Sequence, residues 1–313
     1  MNGALGGVLQ PAGPVADGVA GLGWLLIGGA ALVFVIVMVL LAWALSKHRP
    51  APADRQLVRR WILGGGFAFP TVVLAALLVH ATRQTSTLTL PGAPGHDVIT
   101  VVAKSWWWEV RYRDPASDQD VVLANEIHLP IGRPVTLGLT SDDVIHSLWV
   151  PALAGKIDML PGRVHQLRLQ ADRAGVYRGQ CAEFCGTQHA RMALHVVAHE
   201  PADYERWLAA QALPATAPTD PQATRGLQVF HEQRCSACHN VRGLASGLAL
   251  GPDLTHVGSR LHVGAGTLPN GRASLARWVS HNQEAKPGVR MPDYDHLDNA
   301  SLQALATFLE QLK

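Results

Sequence analysis

Two long apolar runs come first, and short alternating runs follow them. From about Gly21 to Leu45 almost every residue is apolar and none is charged. At 1.5 Å per residue such a helix reaches roughly 36 Å, enough to cross a bilayer with some tilt. A second apolar run goes from Trp61 to about Ala81. It contains Gly64-Gly65-Gly66 and Pro70, which weaken a soluble helix and are tolerated in membrane helices. The pattern predicts a transmembrane hairpin over residues 21–82, after an N-terminal segment over residues 1–20. That segment has no Lys or Arg and so lacks the basic region of a signal peptide. Between the runs lie Lys47, His48, Arg49, Arg55, Arg59 and Arg60 against the single acid Asp54. Basic loops stay on the cytoplasmic side, which puts both termini and everything after Arg83 outside. Trp43 and Trp61 sit where interfacial aromatics belong.

From His96 to about Val197 the period changes. Val98–Ala103, Val121–Leu123, Arg133–Leu139 and His165–Leu169 are strand-like. Turn residues separate them at Asp114-Pro115, Pro130-Ile131-Gly132, Pro161-Gly162 and Arg173-Ala174-Gly175. Short strands with turns at this spacing predict a β-sandwich over residues 83–212. Tyr177–Gln180 and Leu194–Val197 are expected as the strands entering and leaving a cysteine-bearing loop. On a strand Trp106 and Trp108 would share one face, with Trp107 opposite; either ring could fill the core. Pro201–Ala210 reads as a short helix. Residues 213–221, with three prolines, read as a semi-rigid linker. A separate helical domain is then expected over residues 222–313. Ala223–Gln233 has helical spacing, and Ser301–Leu312 reads as a closing amphipathic helix through Leu302, Leu305, Phe308 and Leu309.

Charged residues make up 16% of the 313, low for a wholly soluble protein. A net charge of +2 makes no case for nucleic acid. The four cysteines form two close pairs, Cys181/Cys185 and Cys235/Cys238. Such spacing reads as metal or cofactor attachment rather than a disulfide framework.

Cys181, Cys185, His189 and Met192 bring two thiols, an imidazole and a thioether into one short stretch. Soft ligands of this kind suit copper. A zinc site or a Cys181–Cys185 disulfide are the plain alternatives, though zinc rarely takes a thioether and a disulfide leaves His189 and Met192 without a purpose. Cys235-Ser236-Ala237-Cys238-His239 is the attachment signature of c-type haem. A redox dithiol would need a βαβ pattern and a zinc ribbon a second pair, and neither is visible.

Asp143-Val144-Ile145-His146-Ser147, then Pro151-Ala152-Leu153-Ala154-Gly155-Lys156-Ile157-Asp158, then Cys181-Ala182-Glu183-Phe184-Cys185 through Met192, resemble subunit II of haem–copper cytochrome c oxidases. The likeness runs from the first apolar run to about residue 200. Residue 222 onward resembles class I cytochromes c, through Cys235–His239, Gly251–Arg260 and Arg290-Met291-Pro292. The fold implied is a two-helix hairpin, a cupredoxin-like Greek-key sandwich and an all-α cytochrome c domain.

The resemblance implies a binuclear copper centre, CuA. Cys181 and Cys185 would bridge both coppers. His146 and Met192 would complete one copper, and His189 with the Glu183 carbonyl the other. The Glu183 carboxylate would help hold a magnesium ion shared with subunit I, against the plain reading of a surface carboxylate. Trp106 matches the tryptophan that admits electrons to CuA, and Tyr112 a tyrosine of the same segment. Haem c would be bound covalently by Cys235 and Cys238, with His239 and Met291 on the iron. His/Met ligation fills both axial positions and favours electron transfer. His256, His262, His281 and His296 compete with Met291, but only Met291 has the matching loop. His128, His165, His195 and His199 match no ligand position and read as ordinary surface or strand histidines. Asp142 and Asp143 read as turn residues or as an acidic docking surface.

The resemblance therefore implies a proton-translocating terminal oxidase subunit in a bacterial-type inner or plasma membrane, with its copper and haem domains on the periplasmic side. Its partners would be subunit I, where oxygen is reduced, other oxidase subunits, and a donor that is cytochrome c or a quinol–cytochrome c reductase. No carboxylate stands in Gln56–Trp61, where many relatives carry one for proton uptake. A quinol oxidase subunit would lack the copper ligands. A copper carrier would not need the haem motif, and a nitrous oxide reductase would need a propeller domain for which the chain has no room.

Overall fold

The computed structural model describes residues 7–46, 54–88, 98–113 and 120–313. Contacts divide the chain into two units, Gly18–Pro91 and Met1–Asp17 with Gly92–Lys313. Lys47, His48, Arg49, His96 and the expected turn at Asp114-Pro115 lie outside the described residues.

In the first unit, helix α1 runs Pro14–Ser46, starting earlier than its apolar run. Proline is at home at a helix start, where its missing N–H costs nothing. The second span is composite: α2 (Arg55–Arg60), a π-helical stretch Trp61–Ala68, and α3 (Phe69–Leu88). Asp54 caps it, accepting from the Gln56 amide at 2.9 Å. The wide register contains all three consecutive glycines and ends just before Pro70, which has no N–H to continue an α-helical ladder. Both spans are long and apolar enough to cross a membrane and show their apolar side chains outward.

The second unit begins with residues 11–13 pinned to the sandwich. The Ala12 amide donates to Ala152 O at 2.7 Å, and Ala12 O accepts from Asp172 at 2.8 Å. A Cβ on Gly13 would lie 2.1 Å from Gln170 O, so only glycine fits there.

The sandwich has ten strands: β1 (Val98–Lys104), β2 (Trp107–Arg113), β3 (Asp120–Ala124), β4 (Glu126–Pro130), β5 (Val135–Ser141), β6 (His146–Trp149), β7 (Lys156–Met159), β8 (His165–Leu169), β9 (Gly175–Cys181) and β10 (Ala193–His199). One sheet has the order β3-β2-β1-β5-β8 and the other β4-β10-β9-β6-β7. Pairing is antiparallel except β1 with β5 and β4 with β10. The inward faces meet in a core that includes Val101, Trp108, Leu137, Leu148, Tyr177 and Val196. Trp106 is not on a strand, as the alternation had it, but in the β1–β2 turn. Only Trp108 is fully buried, while Trp106 and Trp107 are half-buried. His128 and His195 are buried strand histidines rather than surface ones.

Helix α4 (Pro201–Ala212) closes the sandwich. The segment after it is tied down: Ala215 donates to Arg242 O at 2.9 Å, and His256 Nε2 meets Leu213 O at 3.1 Å. The helical region contains α5 (Pro221–Glu232), α6 (Arg272–Ala285) and α7 (Asn299–Gln311), with a small ribbon of β11 (His262–Val263) and β12 (Leu268–Pro269). Asp220 and Asp298 cap α5 and α7. The two helices cross at Gly226, where a Cβ would stand 2.1 Å from Ala304 O.

Candidate metal centre and haem-attachment site

Cys181 ends β9, and its amide donates to Met192 O at 2.9 Å, closing the base of the loop between them. Strand β6 lies alongside, with Leu148 opposite Cys181, and brings His146 to the same end of the sandwich. Within the loop Gly186 takes φ +108 and lies against the Trp106 indole, at 3.1 Å for a notional Cβ. Both conditions exclude a side chain there.

Six donors converge. The thiol sulfurs of Cys181 and Cys185 are 3.7 Å apart, free and buried. A disulfide would need about 2.05 Å. His146 Nδ1 lies 3.8 Å from Cys181 Sγ, and His189 Nδ1 lies 3.7 Å from Cys185 Sγ. Met192 Sδ is 3.9 Å from Cys185 Sγ, and Glu183 O is 3.2 Å from Cys181 Sγ. The thiol pair shares a proton unequally. The Cys185 hydrogen bond, with His146 and backbone donors, holds Cys181 well below the usual thiol range; the same pairing and burial push Cys185 up. A cation replacing that proton would meet thiolates already gathered. Two sulfurs, two imidazoles, a thioether and a carbonyl exceed the four donors of a tetrahedral zinc and suit copper.

A carboxylate that the sequence reading left as a turn residue orients one ligand candidate. Asp143 Oδ1 is 2.8 Å from His146 Nε2, and Oδ2 accepts from the Ser105 amide at 2.7 Å. Burial works against the Asp143 charge, but these hydrogen bonds outweigh it and hold its carboxyl below the usual range. With Nε2 held by Asp143, Nδ1 is the ring nitrogen turned toward the sulfurs. Asp142 instead pairs with Lys104 at 2.8 Å. The Glu183 carboxylate is half-exposed and faces Lys156 at 3.3 Å. Trp106 Nε1 donates to Cys185 O at 2.8 Å. Tyr112 is buried, its hydroxyl bonded to both the amide and the carbonyl of His128.

The haem-attachment residues form a short helical turn, Cys235–Ala237, entered through Arg234 at φ +55. Cys238 is exposed; burial pushes the Cys235 thiol up to about 11. His239 is half-buried, and desolvation lowers its pKa and favours the neutral imidazole. Its Nδ1 is 2.7 Å from Pro252 O, so Nε2 is left as a free donor atom for iron. Gly251 packs on the ring, with 2.6 Å between its notional Cβ and the His239 ring. The loop of Met291 is anchored by Gln283, whose amide donates to Met291 O at 2.8 Å. Exposed Cys238, half-buried His239 and an anchored Met291 loop fit a covalently attached haem.

The family model for the periplasmic domain of cytochrome c oxidase subunit II matches residues 101–199, and that for cytochrome c matches residues 223–313. Cytochrome c oxidase subunit 2 of Alkalihalophilus pseudofirmus is 34% identical over 97% of this chain and 90% of its own length. The chain belongs to the cytochrome c oxidase subunit 2 family. Its counterpart in Bacillus subtilis is 27% identical over 97% of this chain and 91% of the relative. The solved periplasmic domain of subunit II (CoxB) of Bradyrhizobium japonicum aligns with 39% of the chain and 96% of its own, at 26% identity and a TM-score of 0.36, too low to bear on the fold. As a subunit 2, the protein is membrane-anchored and acts within an oxidase complex beside subunit I. The two domains that follow the apolar helices are of the kinds that hold copper and haem c.

The sequence reading missed two residues at this subunit 2 site. Asp143 carried a signal, an acid three residues before the motif histidine. Lys286, which donates to the Trp106 carbonyl at 2.8 Å, carried none.

Proposed function

We propose that this chain relays electrons from an external donor, through haem c and then a binuclear CuA centre, to the oxygen-reducing centre of subunit I. The observation that carries the reading is the convergence of six donors around two unbridged thiols 3.7 Å apart. When bound, copper and haem supply one-electron redox chemistry. The protein's part is to hold them still. Cys181, Cys185, His146, Met192, His189 and the Glu183 carbonyl would hold the two coppers between them. Six protein donors would leave little room for a substrate on the metal, as suits a relay rather than a catalyst. Cys235 and Cys238 would anchor the haem covalently, and His239 and Met291 would serve its iron. Trp106 admits electrons to the copper centre.

In this reading the Glu183 carboxylate joins a magnesium site completed by subunit I, exchanging its partner Lys156 for the metal. The copper and haem domains stand on the periplasmic side of a bacterial-type membrane, and the complex couples turnover to proton translocation. The working divisions are residues 21–82, 83–212, 213–221 and 222–313. The external donor is cytochrome c or a quinol–cytochrome c reductase. Metal analysis and haem assay of the full chain purified in detergent test the reading. Two coppers and one covalent haem per chain are expected; one copper, or stoichiometric zinc, would overturn the binuclear assignment.

A further inference from the structure

Lys286 stands immediately after α6, in the haem-binding region, yet its side chain ends against the sandwich. It is 2% exposed. Its Nζ donates to Trp106 O at 2.8 Å, Arg191 O at 2.9 Å and Gly264 O at 3.0 Å. Two acceptors belong to the sandwich and one to the haem-binding region. Trp106 in turn donates to Cys185 O, and Arg191 lies between His189 and Met192. A buried ammonium is costly unless each of its three protons has an acceptor, and here each has one. Burial pulls the Lys286 pKa down to about 7, with the neighbouring Cys185 opposing that shift. Three carbonyl acceptors favour the charged form further, because a neutral amine has only two hydrogens.

The neighbours of Lys286 make the same crossing. Gln188 Nε2 donates to Pro287 O, and Arg191 Nη1 donates to Ala285 O, each at 2.5 Å. A Cβ on Gly288 would come within 4.0 Å of the Trp106 ring, and Met291 follows three residues later. The segment from Lys286 to Met291 thus joins the copper loop to the proposed iron ligand by one short stretch of chain.

We propose that Lys286 is a positioning residue for electron transfer, its three-way link seating the haem domain on Trp106 with the Met291 segment held against the indole. This rests on the electron route proposed above. Removing the ammonium takes the Lys286 donor from the Trp106 and Arg191 carbonyls, while Gly264 O keeps the Thr267 hydroxyl at 2.6 Å; the seat is freed, and both cofactor sites keep all their own residues.

The test uses the full chain, loaded with copper and haem in detergent, and the variant Lys286→Met, which keeps the stem and removes the donors. Amide hydrogen exchange across residues 285–291 is expected to quicken about tenfold or more, the equivalent of one lost charged hydrogen bond. Haem and copper spectra should be unchanged, and haem-to-copper transfer after rapid reduction should slow by about tenfold or more, as for a mispositioned reacting pair. Phe308→Leu is the control for a merely structural loss: it weakens the α5–α7 core and should leave both readouts at the seat unchanged. If Lys286→Met does not fold, Lys286→Gln, which retains two N–H donors, should show the smaller change of the same sign. Unchanged exchange at 285–291 in a folded variant overturns the proposal. If exchange quickens but the parent chain shows no haem-to-copper transfer, the seat stands and the electron route falls.

Discussion

The indole nitrogen of Trp106 donates a 2.8 Å hydrogen bond to the carbonyl of Cys185. A ring half-buried in a turn is thereby tied to the backbone of a residue whose thiol is one of the two central donors. Trp106→Phe keeps a ring and removes the N–H. The copper spectrum should persist while electron transfer into the centre falls by roughly one to two orders of magnitude, as for a small displacement of a reacting pair. Rapid-mixing kinetics alongside the absorption spectrum check this; an unchanged rate would remove Trp106 from the route.

Asp143 fixes which nitrogen of His146 faces the sulfurs. Asp143→Asn keeps the shape and loses the charge. Copper affinity should drop by about 10- to 100-fold, the usual penalty for losing a partner of a metal-bound histidine. Competition with a copper chelator measures it, and parent-like affinity would show that His146 needs no such partner.

Acid should loosen the sandwich where the haem domain meets it. His195 stacks on His262 with centroids 4.3 Å apart, beside buried Glu126, which accepts from the Leu261 amide at 2.6 Å. Burial pulls His195 down to about 4, with His262 adding to the shift. A folded-state value below the ordinary 6.5 means the unfolded chain takes the proton first. Stability is therefore full above about 6.5 and falls as pH drops toward 4, by at most about 3 kcal/mol from this group. Thermal melts at stepped pH should show the decline in the parent and a flatter profile in His195→Gln. A profile equally steep in both would contradict this.

Gly226 lets α5 and α7 cross at backbone contact. Gly226→Ala places a methyl group 2.1 Å from Ala304 O and should cost about 1–3 kcal/mol or more through overpacking. A lower melting temperature with less haem incorporated is the expected result; a parent-like melt would mean the helices can separate at no cost.

How far the sequence exposes this design depends on the range of each interaction. The copper loop and the haem motif are legible because their donors are close along the chain. Strands β1 and β5, seven residues each, are visible as β-rich runs, whereas β4, β6 and β7 are only four or five residues long and two of them carry charges. Trp106 was placed on a strand face because alternation holds only inside a strand, and Trp106 sits one residue before β2 begins. The early start of α1 was hidden by the small, mixed residues after Pro14. Buried His128 stacks on Trp207 with centroids 3.9 Å apart, across a long stretch of chain, so no local pattern marks it. Lys286 is the extreme case: its carbonyl partner Trp106 is 180 positions away.

The central claim is that two thiolates hold two coppers as one electron carrier. Electron paramagnetic resonance of the copper-loaded full chain tests it most directly. Hyperfine structure from one unpaired electron shared equally by two coppers is expected, beside a low-spin haem signal. A spectrum of a single copper, or no copper signal with zinc bound in its place, would contradict it.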